Sequence, residues 1–343
     1  MAPSSVGHCT KGRSAIPELP EVETVRRELA PWLVGRAVLA VERLAPAGPK
    51  YARLAEAVGR RIESLVRRGK FLLARLSSTT TDQHDEEELE LVMHLGMTGV
   101  LTGRRPEGAA AGHVRVRLEL DGGEPSTLYF VDPRRFGRLL VVTAGEYGAL
   151  PTLAALGPEP LGDAFTTAGF QAALARSSMP VKTYLLSQRP VAGVGNIYAD
   201  EALWRARINP LTPANRATDT QAHDLRRAIR DVLTASIASQ GTTLSDYRTV
   251  AGEAGSFAAY LDVYGHAGDA CRRCGSQLRR IVVGQRGTVY CPSCQPTGTP
   301  AAEPSDTPAA APTRTPAAEP SGTATTTSRG TPTAARSSRG ARR

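Results

Sequence analysis

Residues 113–120 read HVRVRLEL. Valine and leucine alternate with arginine and glutamate, the period of two in which successive side chains leave opposite faces of a strand. Similar runs lie on either side: FLLARL at 71–76, LELVMHLGM at 89–97, TLYFVD at 127–132 and RLLVVT at 138–143. Turn residues separate them, and from Val38 to about Val142 the pattern predicts a mostly antiparallel β domain, a sandwich. A helix from about Pro20 to Leu33 leads into it, with Pro20 and Glu21 suited to a first turn and Val22, Val25 and Leu29 on one apolar face. The polar run SSTTTDQHDEEE at 77–88 reads as a solvated loop, and its His84 as exposed.

The period changes after about Phe165. FQAALAR, VKTYLLSQ, IYADEALWRARI and AHDLRRAIRDVLTASI (170–237) space their apolar residues as helices do, which implies a separate α-helical domain. After Cys294 the composition collapses to Pro, Thr, Ala, Ser, Gly and Arg, too poor in apolar side chains to fold, so 296–343 is expected to be a disordered, mildly basic tail. The expected organisation is an extension at 1–16, a β-sandwich at 17–147, a linker at 148–163, a helical domain at 164–256, a small stapled domain at 257–295 and the tail.

With 343 residues, 41% of them hydrophobic, the chain can build two or three cores. Forty-two basic against 33 acidic residues give +9, which favours a polyanionic partner. Neither an export signal nor a membrane-spanning run is present, which places the chain in the cytosol or on the chromosome. Cys9 stands alone, whereas CRRC at 271–274 and CPSC at 291–294 form two C-x2-C pairs. Cys271, Cys274, Cys291 and Cys294 are therefore expected to hold one zinc ion between them, and four thiolates leave no coordination position for water. The zinc is structural. Arg279, Arg280 and Arg286 lie on the intervening hairpin, where they could meet phosphates.

VAGVGNIY at 191–198 lacks a preceding strand and a third glycine, so it is not a dinucleotide site. It reads instead as Asn196 capping a helix that begins near Ile197, with the glycines giving a phosphate access to backbone N–H groups.

In order and spacing, PELPEVET (17–24), RRGKF (67–71), HLGMTG (94–99), DPRRFG (132–137), LGPEPL (156–161), VAGVGNIYADE (191–201), QGTTL (240–244) and the cysteine pairs with QRGTVYC (285–291) resemble the formamidopyrimidine-DNA glycosylase family. The resemblance spans Pro17 to Cys294. It implies an α+β multidomain fold: an antiparallel β-sandwich, a helix-two-turn-helix domain and a zinc ribbon, with double-stranded DNA carrying oxidised bases or abasic sites held in the cleft of a monomer. It also implies roles. Pro17 would be the nucleophile and Glu18 the acid/base, with Lys70 beside them and Glu21 and Lys182 in support. Lys70, Asn196 and Arg286 would grip phosphates, while Met97, Arg134 and Phe136 would fill the gap left by an extruded nucleotide. The loop near 245–257 would cover an extruded purine.

That chemistry needs a free amine at Pro17, and a proline preceded by Ile16 is an amide. Residues 1–16 are therefore expected to be missing from the mature protein, through a start at position 16 or through proteolysis. If they are kept, the alternative is a protein that binds lesions without cutting DNA. A lyase using a lysine, and an endonuclease VIII-like enzyme for oxidised pyrimidines, are two further alternatives.

Overall fold

A computed structural model describes residues 17–78, 87–243, 250 and 252–297. The extension with Cys9, His84 and most of the 77–88 insert, most of 244–251 in the expected covering loop, and the tail from 298 lie outside the described residues.

Helix α1 (Leu19–Leu33) begins one residue earlier than the sequence pattern suggests, and Val22, Val25, Leu29 and Leu33 are buried along one side. Eight strands follow: β1 (Val38–Arg43), β2 (Arg60–Arg68), β3 (Phe71–Ser78), β4 (Leu89–His94), β5 (Val100–Thr102), β6 (Val114–Leu120), β7 (Thr127–Val131) and β8 (Arg138–Thr143). They pair antiparallel into two four-stranded sheets, ordered β1-β6-β7-β5 and β2-β3-β4-β8.

One core joins the sheets. Ile62, Leu72, Leu76 and Met93 meet Val116, Leu118, Leu128 and Phe130, and α1 adds Val25 and Leu29. The outer face of β3, β4 and β8 is covered too, because Phe71, Leu73, Val92 and Leu140 pack on Leu150 and on Leu153 of the single-turn helix α2 (Pro151–Ala154). Burial on both faces explains why FLLARL is apolar without strict alternation. In β6 the period of two fails once: Arg115 is buried, its Nε donating to the Asp132 carbonyl at 2.8 Å.

The helical segment holds α3 (Thr167–Ala175), α4 (Val181–Leu186), α5 (Asn196–Arg205) and α6 (Asp219–Ala238). Thr218 caps α6 by accepting from the Gln221 N–H at 3.2 Å, and Ala222, Leu225, Ile229, Val232 and Leu233 form its buried stripe. Leu19, from the start of α1, is buried in this second core, so the two halves share an apolar contact at the point where the described chain begins.

A hairpin of β9 (Arg279–Val283) and β10 (Arg286–Tyr290) separates the cysteine pairs. The four sulfurs lie within 4.8 Å of one another, with Cys271 to Cys294 at 4.0 Å and Cys274 to Cys291 at 3.4 Å. Tetrahedral zinc bonded to sulfur at about 2.3 Å would space its ligands about 3.8 Å apart, so the cysteines are positioned to bind one zinc ion. The ribbon's own apolar core is small: Val263, Leu278 and Val289 close over Trp204 of α5. Cys291→Ser is therefore expected to abolish stoichiometric zinc and expose 268–297 to protease while the sandwich stays folded. Metal analysis with limited proteolysis checks this, and zinc retained at one per chain would contradict it.

Candidate active site

The stretch after Pro17 is held by a carboxylate. Glu18 is buried, and its two oxygens accept from the backbone N–H groups of Gly195 (2.6 Å) and Ile197 (2.9 Å). These are orphan donors at the start of α5, where the helix dipole also favours an anion. A residue 177 positions upstream thus caps α5, and the capping by Asn196 expected from the sequence does not occur. The amide of Asn196 instead donates to the Gly287 carbonyl at 3.1 Å.

The glycines in VAGVGN follow from the same contact. A Cβ on Gly195 would stand 2.3 Å from Glu18 Cδ and 2.4 Å from Lys70 Nζ, and one on Gly193 would stand 2.6 Å from Leu19 Cβ. The close approach expected for a phosphate is made here by the protein's own acid and amine.

Burial sets the protonation of this pair. It raises the Glu18 pKa, against the opposing pull of the Lys70 ammonium and the two N–H groups. It lowers that of Lys70, with Arg286 adding to the effect and Glu18 and Glu21 resisting it. Both groups move toward their neutral forms, the poise that proton transfer near neutral pH requires. Glu21 stands behind them. It accepts from the Glu18 N–H at 2.8 Å, the Tyr198 hydroxyl at 2.5 Å and the Thr242 N–H at 2.7 Å, and burial beside Glu18 pushes its pKa up to about 7.

Glu18, Lys70, Met97, Phe136, Asn196 and Arg286 line one cavity of about 330 Å³. Pro17 is buried beside Glu18. Arg134 is not in the lining, and its guanidinium carbon stands 5.0 Å from the centre of the Phe136 ring. Lys182 lies outside the lining of this cavity. It is fully buried, paired with Asp200 at 2.6 Å, and donates to Thr288 Oγ1 at 2.7 Å and to the Gly287 carbonyl at 3.3 Å. Asp200 also accepts from the Val289 N–H at 3.0 Å. Lys182, Asp200 and Asn196 thus fasten β10 to the helices, and that fastening places Arg286 at the cavity.

Sequence reasoning missed His94, Arg138, Gln188 and Tyr264, which also line it. His94 belonged to the quoted HLGMTG motif, the one signal that could have found it. Its Nδ1 accepts from the Gly96 N–H at 3.1 Å, its ring lies 4.6 Å from that of Phe71, and burial pushes its pKa down to about 3. A neutral ring with Nδ1 accepting keeps its proton on Nε2 as a donor.

Comparison with known proteins agrees with this architecture. The formamidopyrimidine-DNA glycosylase N-terminal domain matches residues 16–139, the H2TH domain of the same enzymes matches 156–248, and a zinc finger found in FPG and IleRS matches 268–297. The formamidopyrimidine-DNA glycosylase of Deinococcus radiodurans is 48% identical over 289 residues, covering 83% of this chain and 99% of that protein. The crystal structure of the MutM (Fpg) protein from Thermus thermophilus superposes with a TM-score of 0.72 at 46% identity, covering 82% of this chain and all of that one. Lactococcus lactis Fpg in complex with abasic-site DNA gives 0.68 at 33% identity, covering 81% and 99%. The chain belongs to the formamidopyrimidine-DNA glycosylase family.

Lys182→Ala should destabilise the fold by about 3–5 kcal/mol, because it strands Asp200 as an uncompensated buried charge. Urea denaturation measures this; a loss under about 1 kcal/mol would mean that the pair does not hold the ribbon in place.

Proposed function

We propose that this chain is a DNA repair enzyme that removes oxidised purines, 8-oxoguanine and formamidopyrimidines, and then cuts the strand at the abasic site. Family membership supports the glycosylase activity. The observation that carries the chemistry is the buried Glu18 carboxylate, held against Lys70 on the N-terminus of α5 with Pro17 directly before it.

In this reading the Pro17 nitrogen, as a free secondary amine, attacks C1′ of the damaged nucleotide. Glu18 in its protonated form delivers a proton to the ring oxygen, the bond from that oxygen to C1′ breaks, and the sugar opens. The base then leaves with the electron pair of its bond to C1′ and with the proton that the Pro17 nitrogen gives up, and a cationic iminium remains on Pro17. The proline imine is charged without further protonation, so it acidifies the 2′ hydrogens. Loss of one of them expels the 3′ phosphate, a second elimination expels the 5′ phosphate, and hydrolysis frees the amine. Lys70, Asn196 and Arg286 hold flanking phosphates, and Phe136 and Met97 occupy the space the nucleotide leaves.

The mechanism requires that Pro17 be the first residue of the working protein. One observation supports this: the N-terminal family domain begins its match at residue 16. The four cysteines contribute one structural zinc that carries Arg286 on its hairpin. The bacterial cytoplasm is the proposed setting, with the protein a monomer on chromosomal DNA.

Glu18→Gln is the test. Glutamine replaces one of two acceptors with a donor facing an N–H group, so a stability loss of about 1–3 kcal/mol accompanies it. In single-turnover assays on duplex DNA containing 8-oxoguanine, base release is expected to slow by about 10²–10⁴ while Kd barely changes. Wild-type base release should also decline as rising pH crosses the elevated Glu18 pKa and removes its proton. A Kd loss as large as the rate loss would contradict the acid role.

A further inference from the structure

Asp132 is fully buried, yet it is no part of the cavity lining and takes no step in the proposed chemistry. It closes the turn between β7 and β8. Its backbone is fixed on both sides, the N–H donating to the His113 carbonyl at 2.9 Å and the carbonyl accepting from Arg115 Nε at 2.8 Å. This accounts for the one arginine of HVRVRLEL that turns inward.

The carboxylate joins two turns. Oδ2 accepts from the Gly137 N–H at 2.7 Å, and Oδ1 accepts from the Thr98 hydroxyl at 2.7 Å, in the turn between β4 and β5. Thr98 Oγ1 in turn accepts from the Arg134 N–H at 3.4 Å. Each bonded residue adjoins a side chain at the cavity mouth: Met97 precedes Thr98, and Phe136 precedes Gly137. The backbones also touch, since a Cβ on Gly96, whose φ is +64°, would stand 2.5 Å from Gly137 N and 2.6 Å from the Phe136 carbonyl carbon. On the outer side Lys50 Nζ donates to the Arg135 carbonyl at 2.5 Å.

Phe136 is 48% exposed on this braced frame, with the Arg134 guanidinium against its ring. A wedge that parts stacked bases has to resist the force it applies, and a loose turn would fold back instead. Bracing one turn alone would leave the other free to yield.

We infer that Asp132 and Thr98 are positioning residues that lock the two turns together, so that Met97 and Phe136 enter the base stack as one rigid unit. This rests on the proposed DNA glycosylase reading, because it assigns Phe136 and Met97 to the gap left by an extruded nucleotide. The consequence is selective. Steps that need a paired base pushed out of the helix depend on the Asp132–Thr98 bond, and steps at a site with no base to extrude do not.

Thr98→Val removes the hydroxyl at nearly constant shape, Thr98→Ser keeps it, and Asp132→Asn leaves one acceptor of the two. Single-turnover rates are measured on duplex DNA with 8-oxoguanine opposite cytosine and on single-stranded DNA with a preformed abasic site. Fluorescence of 2-aminopurine beside the lesion reports unstacking. Thr98→Val is expected to slow excision from the duplex by about ten- to a hundredfold and to blunt the fluorescence rise, with abasic cleavage near the wild-type rate. Thr98→Ser should restore both, and Asp132→Asn should fall between. Equal losses on the two substrates, or wild-type behaviour in Thr98→Val, would overturn the inference. A wild-type chain that unstacks DNA without cutting either substrate would sink the glycosylase reading instead, and the fluorescence of the variants would then decide this one. A wild-type chain that raises no fluorescence overturns it outright.

Discussion

Everything at the candidate site depends on one carboxylate docked on a helix terminus. Glu18 gives both oxygens to the N–H groups that open α5, and so ties the start of the sandwich to the helical segment. The glycines at 193 and 195 follow from it, since side chains there would strike Leu19, Glu18 and Lys70. Glu21 makes a second tie one turn later, reaching Tyr198 of α5 and Thr242 beyond α6. The same burial that joins the halves lifts the Glu18 pKa, so the architecture and the acid chemistry have one cause.

A second buried charge plays a purely architectural part. Removing Lys182 and Asp200 from water is unfavourable, and the pair persists because Thr288, Gly287 and Val289 satisfy its remaining polar atoms. All three are on β10, next to Arg286. The zinc ribbon is therefore oriented from two sides, by its thiolates within and by this pair beneath. Its small apolar core, built over Trp204, would specify that orientation poorly alone.

The local periodicities were legible because each reports a single short-range geometry. HVRVRLEL became β6, the four helical runs became α3 to α6, and the cysteine spacing brought four sulfurs to one point. What was not legible depends on contacts distant in sequence. Asn196 looked like a cap because asparagine usually is one, but an acid from the other half occupies those N–H groups. Arg115 looked solvent-facing until the Asp132 carbonyl claimed it. Lys182 carries no local sign of its partner, and only the fold shows its pairing with Asp200 beneath β10. His94, Gln188 and Tyr264 come together from three separate segments, and no local pattern announces that.

The most direct measurement is borohydride reduction of the chain mixed with lesion-containing DNA, followed by peptide mass mapping of the covalent product. The expected adduct lies on the nitrogen of Pro17 as the first residue of the trapped chain. An adduct on Lys70, or a trapped chain that still carries Ile16, would contradict proline chemistry at the Glu18 site.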